Sequence, residues 1–190
     1  QSLASQVRPW ATPHEGATFK TFASPQQEAI ERLGGPMVLT DVQPLGTGFI
    51  GEEFKTPFGT TVKYLNERER EAYRVRIKQG RLYGADGAPF DTRNNSSVFG
   101  AMPGRAIFVM DHKGNLYLSN ESVVGKFHHS SFLAGAPVAA AGEMSVRDGA
   151  IESISRKSGH YRPTAAQLNQ CITHLKALGV PPTFTVLSGV

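Results

Sequence analysis

Residues 125–163, GKFHHSSFLAGAPVAAAGEMSVRDGAIESISRKSGHYRP, decide the fold. Residues 138–141, 144–146 and 150–154 read as short strands. Asp148-Gly149 joins the last two as a hairpin turn, since this pair tolerates the positive φ that tight hairpins require. Thr164 follows as a helix cap, with Gln167 three residues on as its capping-box partner. Leu168, Cys171, Ile172, Leu175 and Leu178 then fall at helical spacing, and Gly179 with Pro181-Pro182 ends the helix. A final strand is read over 183–187.

Working towards the N-terminus, AIFVM at 106–110 reads as a buried strand, 111–115 as a hairpin loop and 116–118 as the strand that pairs back. YRVRI at 73–77 alternates apolar and polar residues, the mark of a half-buried strand. Residues 78–80 turn it, 81–83 return, and Ala85-Asp86-Gly87 makes another turn. NERERE at 66–71 alternates charge and forms a short solvated helix. Residues 44–59, PLGTGFIGEEFKTPFG, are a Gly-rich loop bearing aromatics, without the strand–helix context or Lys-Ser/Thr of a phosphate loop. Ser24 and Pro25 start a helix with Ala29, Ile30 and Leu33 on one side, stopped by 34–36, and 37–42 reads as a strand. Residues 1–23 are a polar arm or linker with Trp10, Phe19 and Phe22 as anchors. The sum is one α+β domain over 24–190: a mainly antiparallel sheet laid out as a hairpin meander, with two or three packed helices.

The size, 190 residues, fits one domain with a proper core. Lys and Arg exceed Asp and Glu by 20 − 16 = 4. The excess is spread along the chain with no run of five like charges, so nothing points to nucleic acid. Cys171 is the single cysteine, excludes an internal disulfide, and reads as a small buried hydrophobe on the last helix. A reducing compartment at the site of action fits it. No apolar run reaches the ~20 residues of a membrane span. The chain starts at Gln1 without an initiator Met or signal-peptide core, and reads as the cut edge of a longer protein.

Residues 125–163 also concentrate His128, His129, Ser130, Ser131, Glu143, Ser158, His160 and Tyr161, the groups from which acid–base and transfer sites are made. His128 and His129 are consecutive, and on a strand they face opposite ways. With His160, and Glu143 or Asp111 as an oxygen ligand, their spacing matches no zinc template, so no metal is expected. Ser130 and Ser131 lack a G-x-S-x-G elbow, which argues against a serine hydrolase.

Five ordered pieces carry a family resemblance: VKYLNEREREAYRVRIKQGRL, AIFVMDHKGNLY, FHHSSFLAG, AAGEMSVRDG and SGHYRPT. Over 62–178 the chain resembles the central domain of the plant IQM proteins, calmodulin-binding proteins that carry an IQ motif. The same segments also resemble the C-terminal parts of bacterial effector and toxin-like proteins. The resemblance implies a shared fold. It does not imply calmodulin as a partner, because the IQ helix is absent from this chain.

Two functional readings are open at this point. In the first, the protein is a secreted or delivered effector that transfers ADP-ribose from NAD to a protein target in the cytoplasm of another cell. The placement of Glu143 is similar to that of the transition-state carboxylate of mono-ADP-ribosyltransferases. His129, Ser130 and Ser131 would complete the catalytic set and orient the donor, with His160 and Tyr161 lying against it and Arg74 or Arg76 gripping the pyrophosphate. In the second, the domain is a non-catalytic protein-interaction module. The readings separate on geometry: the transferase needs Glu143 in a concave pocket with its carboxylate free. The module expects Glu143 exposed or paired, His129 and His160 satisfied internally, and an apolar surface patch.

Overall fold

The computed structural model describes residues 39–96 and 100–189. The arm at 1–23, the helix expected over 24–33 and the start of the strand expected over 37–42 lie outside the described residues. The frame is a seven-stranded sheet: β1 (Arg74–Lys78), β2 (Arg81–Tyr83), β3 (Ala106–Met110), β4 (Leu116–Ser119), β5 (Ala140–Arg147), β6 (Ala150–Ile154) and β7 (Thr185–Val186). Their spatial order is β2-β1-β4-β3-β5-β6-β7. Every pairing is antiparallel except β6 with β7. The α+β reading therefore holds, with one parallel pair at the edge.

The sheet curls. Leu82 on β2 donates its N–H to the Gly149 carbonyl in the β5–β6 turn at 2.8 Å, and Gly149 donates to Phe90 at 2.8 Å. Curling gives the sheet two buried faces, which explains why β3 is a continuous apolar run and not an alternating one. Ala106, Phe108 and Met110 face the inner core with Met144 and Val146, closed by Leu168, Cys171 and Leu175 of the long helix. Ile107 and Val109 face the second core with Tyr117, Phe127, Phe132 and Tyr161.

Among the described residues, three α-helices flank the sheet. The charged run forms α1 (Glu67–Arg70), held by a capping box between Asn66 and Glu69. The long helix, here α3 (Ala165–Ala177), has the expected capping box between Thr164 and Gln167. Between them lies α2 (His129–Phe132), where strand-like structure was expected. The His128 N–H donates to Ser131 Oγ at 3.0 Å and the Ser131 N–H donates to the His128 carbonyl at 2.9 Å, closing one helical turn. The turn ends because Ala134 and Gly135 both adopt positive φ. His128 and His129 thus sit at a helix start, and the opposite-face argument does not apply to them.

Two further expectations are corrected. The strands read over 138–141 and 144–146 are one continuous strand, β5, so Glu143 lies mid-strand opposite Ile107 and not at a strand mouth. Gly142 does not break β5. The strand passes so close to the chain following β6 that only a residue without Cβ fits: an added Cβ would lie 1.8 Å from the Ser155 carbonyl oxygen. Residues 39–42 form no strand, and Gln43 instead bridges Val138.

Candidate functional site

The best-formed polar cluster sits under the 44–59 loop, read from sequence as a Gly-rich loop bearing aromatics. Glu52 is buried. Its Oε1 accepts from the Tyr64 hydroxyl at 2.9 Å, and its Oε2 lies 2.7 Å from His160 Nε2. Burial, the largest influence, raises the Glu52 carboxyl. Hydrogen bonds from His160 and Tyr64, the nearby Ser130 hydroxyl and the attraction of His160 outweigh it and hold the group below its ordinary value. Glu52 is therefore a carboxylate at neutral pH.

His160 is clamped between rings. Its centroid lies 3.9 Å from Phe49 at 24° and 4.3 Å from His128 at 31°. The Gly125 N–H donates to His128 Nε2 at 2.8 Å, which requires that nitrogen to be unprotonated. Burial, with His160 adding repulsion, pushes the His128 pKa down to about 4, consistent with that bond.

Above this network a cleft of about 220 Å³ opens between the 48–58 loop and residues 124–128. His128, His160 and Glu52 lie at its polar side, Phe49, Ile50, Phe58 and Val124 make its apolar walls, and Lys55 stands at its rim. The loop is pinned in place. The buried Thr56 hydroxyl accepts from the N–H groups of Phe58 and Thr60 at 3.2 Å each. Thr60 Oγ1 donates to the Gly125 carbonyl at 2.6 Å, and the Lys63 N–H donates to the Lys126 carbonyl at 2.8 Å, stapling the two walls together.

The residues singled out from sequence mostly serve the backbone. Glu143 is buried in the second core, and its Oε1 accepts from the Met102 N–H at 3.0 Å. His129 is buried with Nε2 2.7 Å from the Gly142 carbonyl, and burial pushes its pKa down to about 4. Ser131 caps α2 as described above. Ser130 is fully buried, bears on the Glu52 carboxylate, and its Oγ makes no well-aligned hydrogen bond. The Tyr161 hydroxyl donates to the Ala136 carbonyl at 2.8 Å, and burial pushes its pKa up. Arg74 donates to Asn115 Oδ1 at 2.9 Å. Arg74 and Arg76 line a different depression that shares no residue with the His160 cleft. Cys171 is buried, and burial pushes its thiol up to about 12, as expected of a structural hydrophobe.

The structure thus brings together His128, His160 and Ser130, and keeps Glu143, Arg74 and Arg76 out of the cleft. It adds Glu52, Tyr64, Phe49 and Phe58, which sequence reasoning passed over. The signal was present in GFIGEEF, where aromatics and paired acids stand in a loop that would otherwise be small and polar. Among the described residues, no group of three or more His, Cys, Asp or Glu is placed to hold a metal ion, and no helix is long and apolar enough to cross a membrane.

Comparison with known proteins agrees with the resemblance read from the sequence. The model of the family described as "IQ motif-containing protein middle domain" matches residues 69–168. IQ domain-containing protein IQM1 of Arabidopsis thaliana is 38% identical over 122 residues, 64% of this chain and 23% of the relative. IQ domain-containing protein IQM4 of the same plant is 35% identical over 122 residues, 64% of this chain and 21% of the relative. The chain spans about a fifth of the length of these curated relatives. No solved structure matches. These relatives are IQ domain-containing proteins, not toxins, effectors or ADP-ribosyltransferases, and they overturn the transferase reading.

Proposed function

The chain belongs to the IQ motif-containing protein middle-domain family, and from that premise we propose that it works as a non-catalytic protein-interaction module. One observation carries the reading. The geometry that separates a module from a transferase falls on the module's side at every point: Glu143 is paired with Met102, His129 with Gly142 and His160 with Glu52. The expected apolar patch is also present. Of the eight exposed large hydrophobic residues among those described, four (Ile50, Phe54, Phe58 and Val124) come from the two segments that wall the cleft, and a fifth, Val123, adjoins the second. Ile50, Phe54 and Phe58 are 73%, 79% and 72% exposed, on a loop whose backbone is pinned by hydrogen bonds. Large exposed aromatics gathered on a pinned loop mark an interaction surface.

Site-specific photo-crosslinking tests the reading. A benzophenone side chain in place of Phe58, in lysate of the source cells, should give a discrete product that excess unlabelled chain suppresses. The same group in place of Lys176, exposed on α3, should give none. Equal and unsuppressed labelling from both positions would defeat the proposal.

A further inference from the structure

The cleft itself suggests what the partner presents, and this inference rests on the interaction-module reading. At about 220 Å³ the cleft is smaller than the ~300–1,000 Å³ of pockets that hold drug-sized ligands, and it suits one large side chain. Its walls, Phe49, Ile50, Phe58 and Val124, are apolar and favour an aromatic or long aliphatic anchor. Its charges are unequal in their commitments. Glu52 is already answered by His160 and Tyr64. Lys55, at the rim, is exposed and makes no ion pair among the described residues. The uncommitted charge at the mouth is therefore positive, although a buried acid lies below it.

We propose that the cleft is a docking pocket for a linear protein segment that places one large apolar side chain beside an aspartate or glutamate. The apolar group fills the pocket between Phe49 and Phe58, and the neighbouring carboxylate meets the Lys55 ammonium at the rim. The pinned loop makes the pocket preformed, so little ordering is needed at Phe58 when the segment binds.

The probe is a random linear-peptide library displayed on phage and selected against the wild-type chain. The enriched peptide is then synthesised and titrated by fluorescence anisotropy. The consensus should pair Phe, Trp, Leu or Met with an adjacent Asp or Glu. Lys55→Glu should weaken that peptide about tenfold, as expected when one partly exposed attraction becomes a repulsion. It should strengthen the same peptide carrying Lys in place of its acid. Lys176→Glu, exposed on α3, should change neither, and Phe58→Ala should abolish binding of both peptides. A consensus without an acid, or an affinity indifferent to Lys55→Glu, overturns this partner chemistry. If Phe58 still crosslinks a discrete partner in that case, the module reading survives it. If neither a selected peptide nor a crosslink maps to the cleft, both fall.

Discussion

Lowering the pH should unfold this protein partly through His129, and the size of the effect follows from its surroundings. The ring is buried, and its Nε2 donates to the Gly142 carbonyl on β5. Burial, the main cause, pushes its pKa from 6.5 to about 4, with repulsion from His160 and His128 acting in the same direction. The folded chain therefore holds His129 neutral down to about pH 4, whereas the unfolded chain takes up a proton near 6.5. Stability is complete above that pH and is lost as the pH falls through the window between the two values. One extra proton on the unfolded chain costs about 1.4 kcal/mol for each pH unit, so about 2 kcal/mol is lost between pH 6.5 and pH 5. That is a sizeable part of the roughly 5–15 kcal/mol that holds a domain together. His128, also pushed down to about 4, and His174, lowered by burial, add to the same slope, while the lowered Glu52 acts at more acid pH. His129→Gln isolates the one contribution, because the amide can still donate to Gly142. Urea unfolding followed by far-UV circular dichroism from pH 7.5 to pH 5 should show the variant losing about 2 kcal/mol less than the wild type. Parallel curves would mean that His129 titrates normally in the fold and that the burial argument fails.

Three further substitutions test the packing around the same region. Gly142→Ala puts a Cβ 1.8 Å from the Ser155 carbonyl oxygen, a backbone atom, and should cost about 3 kcal/mol or prevent folding, measured by urea unfolding. Glu143→Gln keeps an acceptor for the Met102 N–H and should leave stability nearly unchanged. Glu143→Ala removes the acceptor from this partly buried bond and should cost about 1 kcal/mol. A result in which both Glu143 variants were equally unstable would show that charge, not hydrogen bonding, matters there. Thr164→Ala removes the α3 cap and should cost about 1 kcal/mol, read as a shift of the urea midpoint.

Much of the fold was legible because its signals are local. The Asp148-Gly149 turn, the Thr164 capping box and the apolar run 106–110 each fix an element within a few residues. The misreadings arose where a tertiary contact decides. Gly142 looks like a strand break, yet it exists to let β5 lie against Ser155. HHSSF looks like an extended segment, yet one serine hydroxyl captures the His128 N–H and closes a helical turn. The Glu52–His160 pair joins residues 108 positions apart in sequence, and no spacing rule predicts such a meeting. The cleft was missed for the same reason, since its walls come from separate segments brought together by Thr60 and Gly125.

Why the cluster looked catalytic has a physical answer. Between α2 and β5, and again between β6 and α3, the chain leaves the sheet and its carbonyls and N–H groups lose their ladder partners. Side chains take over that duty: Tyr161 serves Ala136, Arg156 serves Pro163 and Gln170 serves Ala139, while His129 reaches from α2 to the Gly142 carbonyl within β5. A fold that crosses its own core on irregular segments must stock them with donors and acceptors. The same residue types that make active sites then concentrate there for structural reasons. What distinguishes a binding surface from this scaffolding is a group with no internal duty. In the 125–163 stretch the polar groups first suspected of chemistry, the buried Ser130 hydroxyl apart, are bound to the protein itself. The uncommitted groups, Lys55 and the exposed Phe54 and Phe58, lie across the cleft on the loop, and that is where a partner has something to gain by binding.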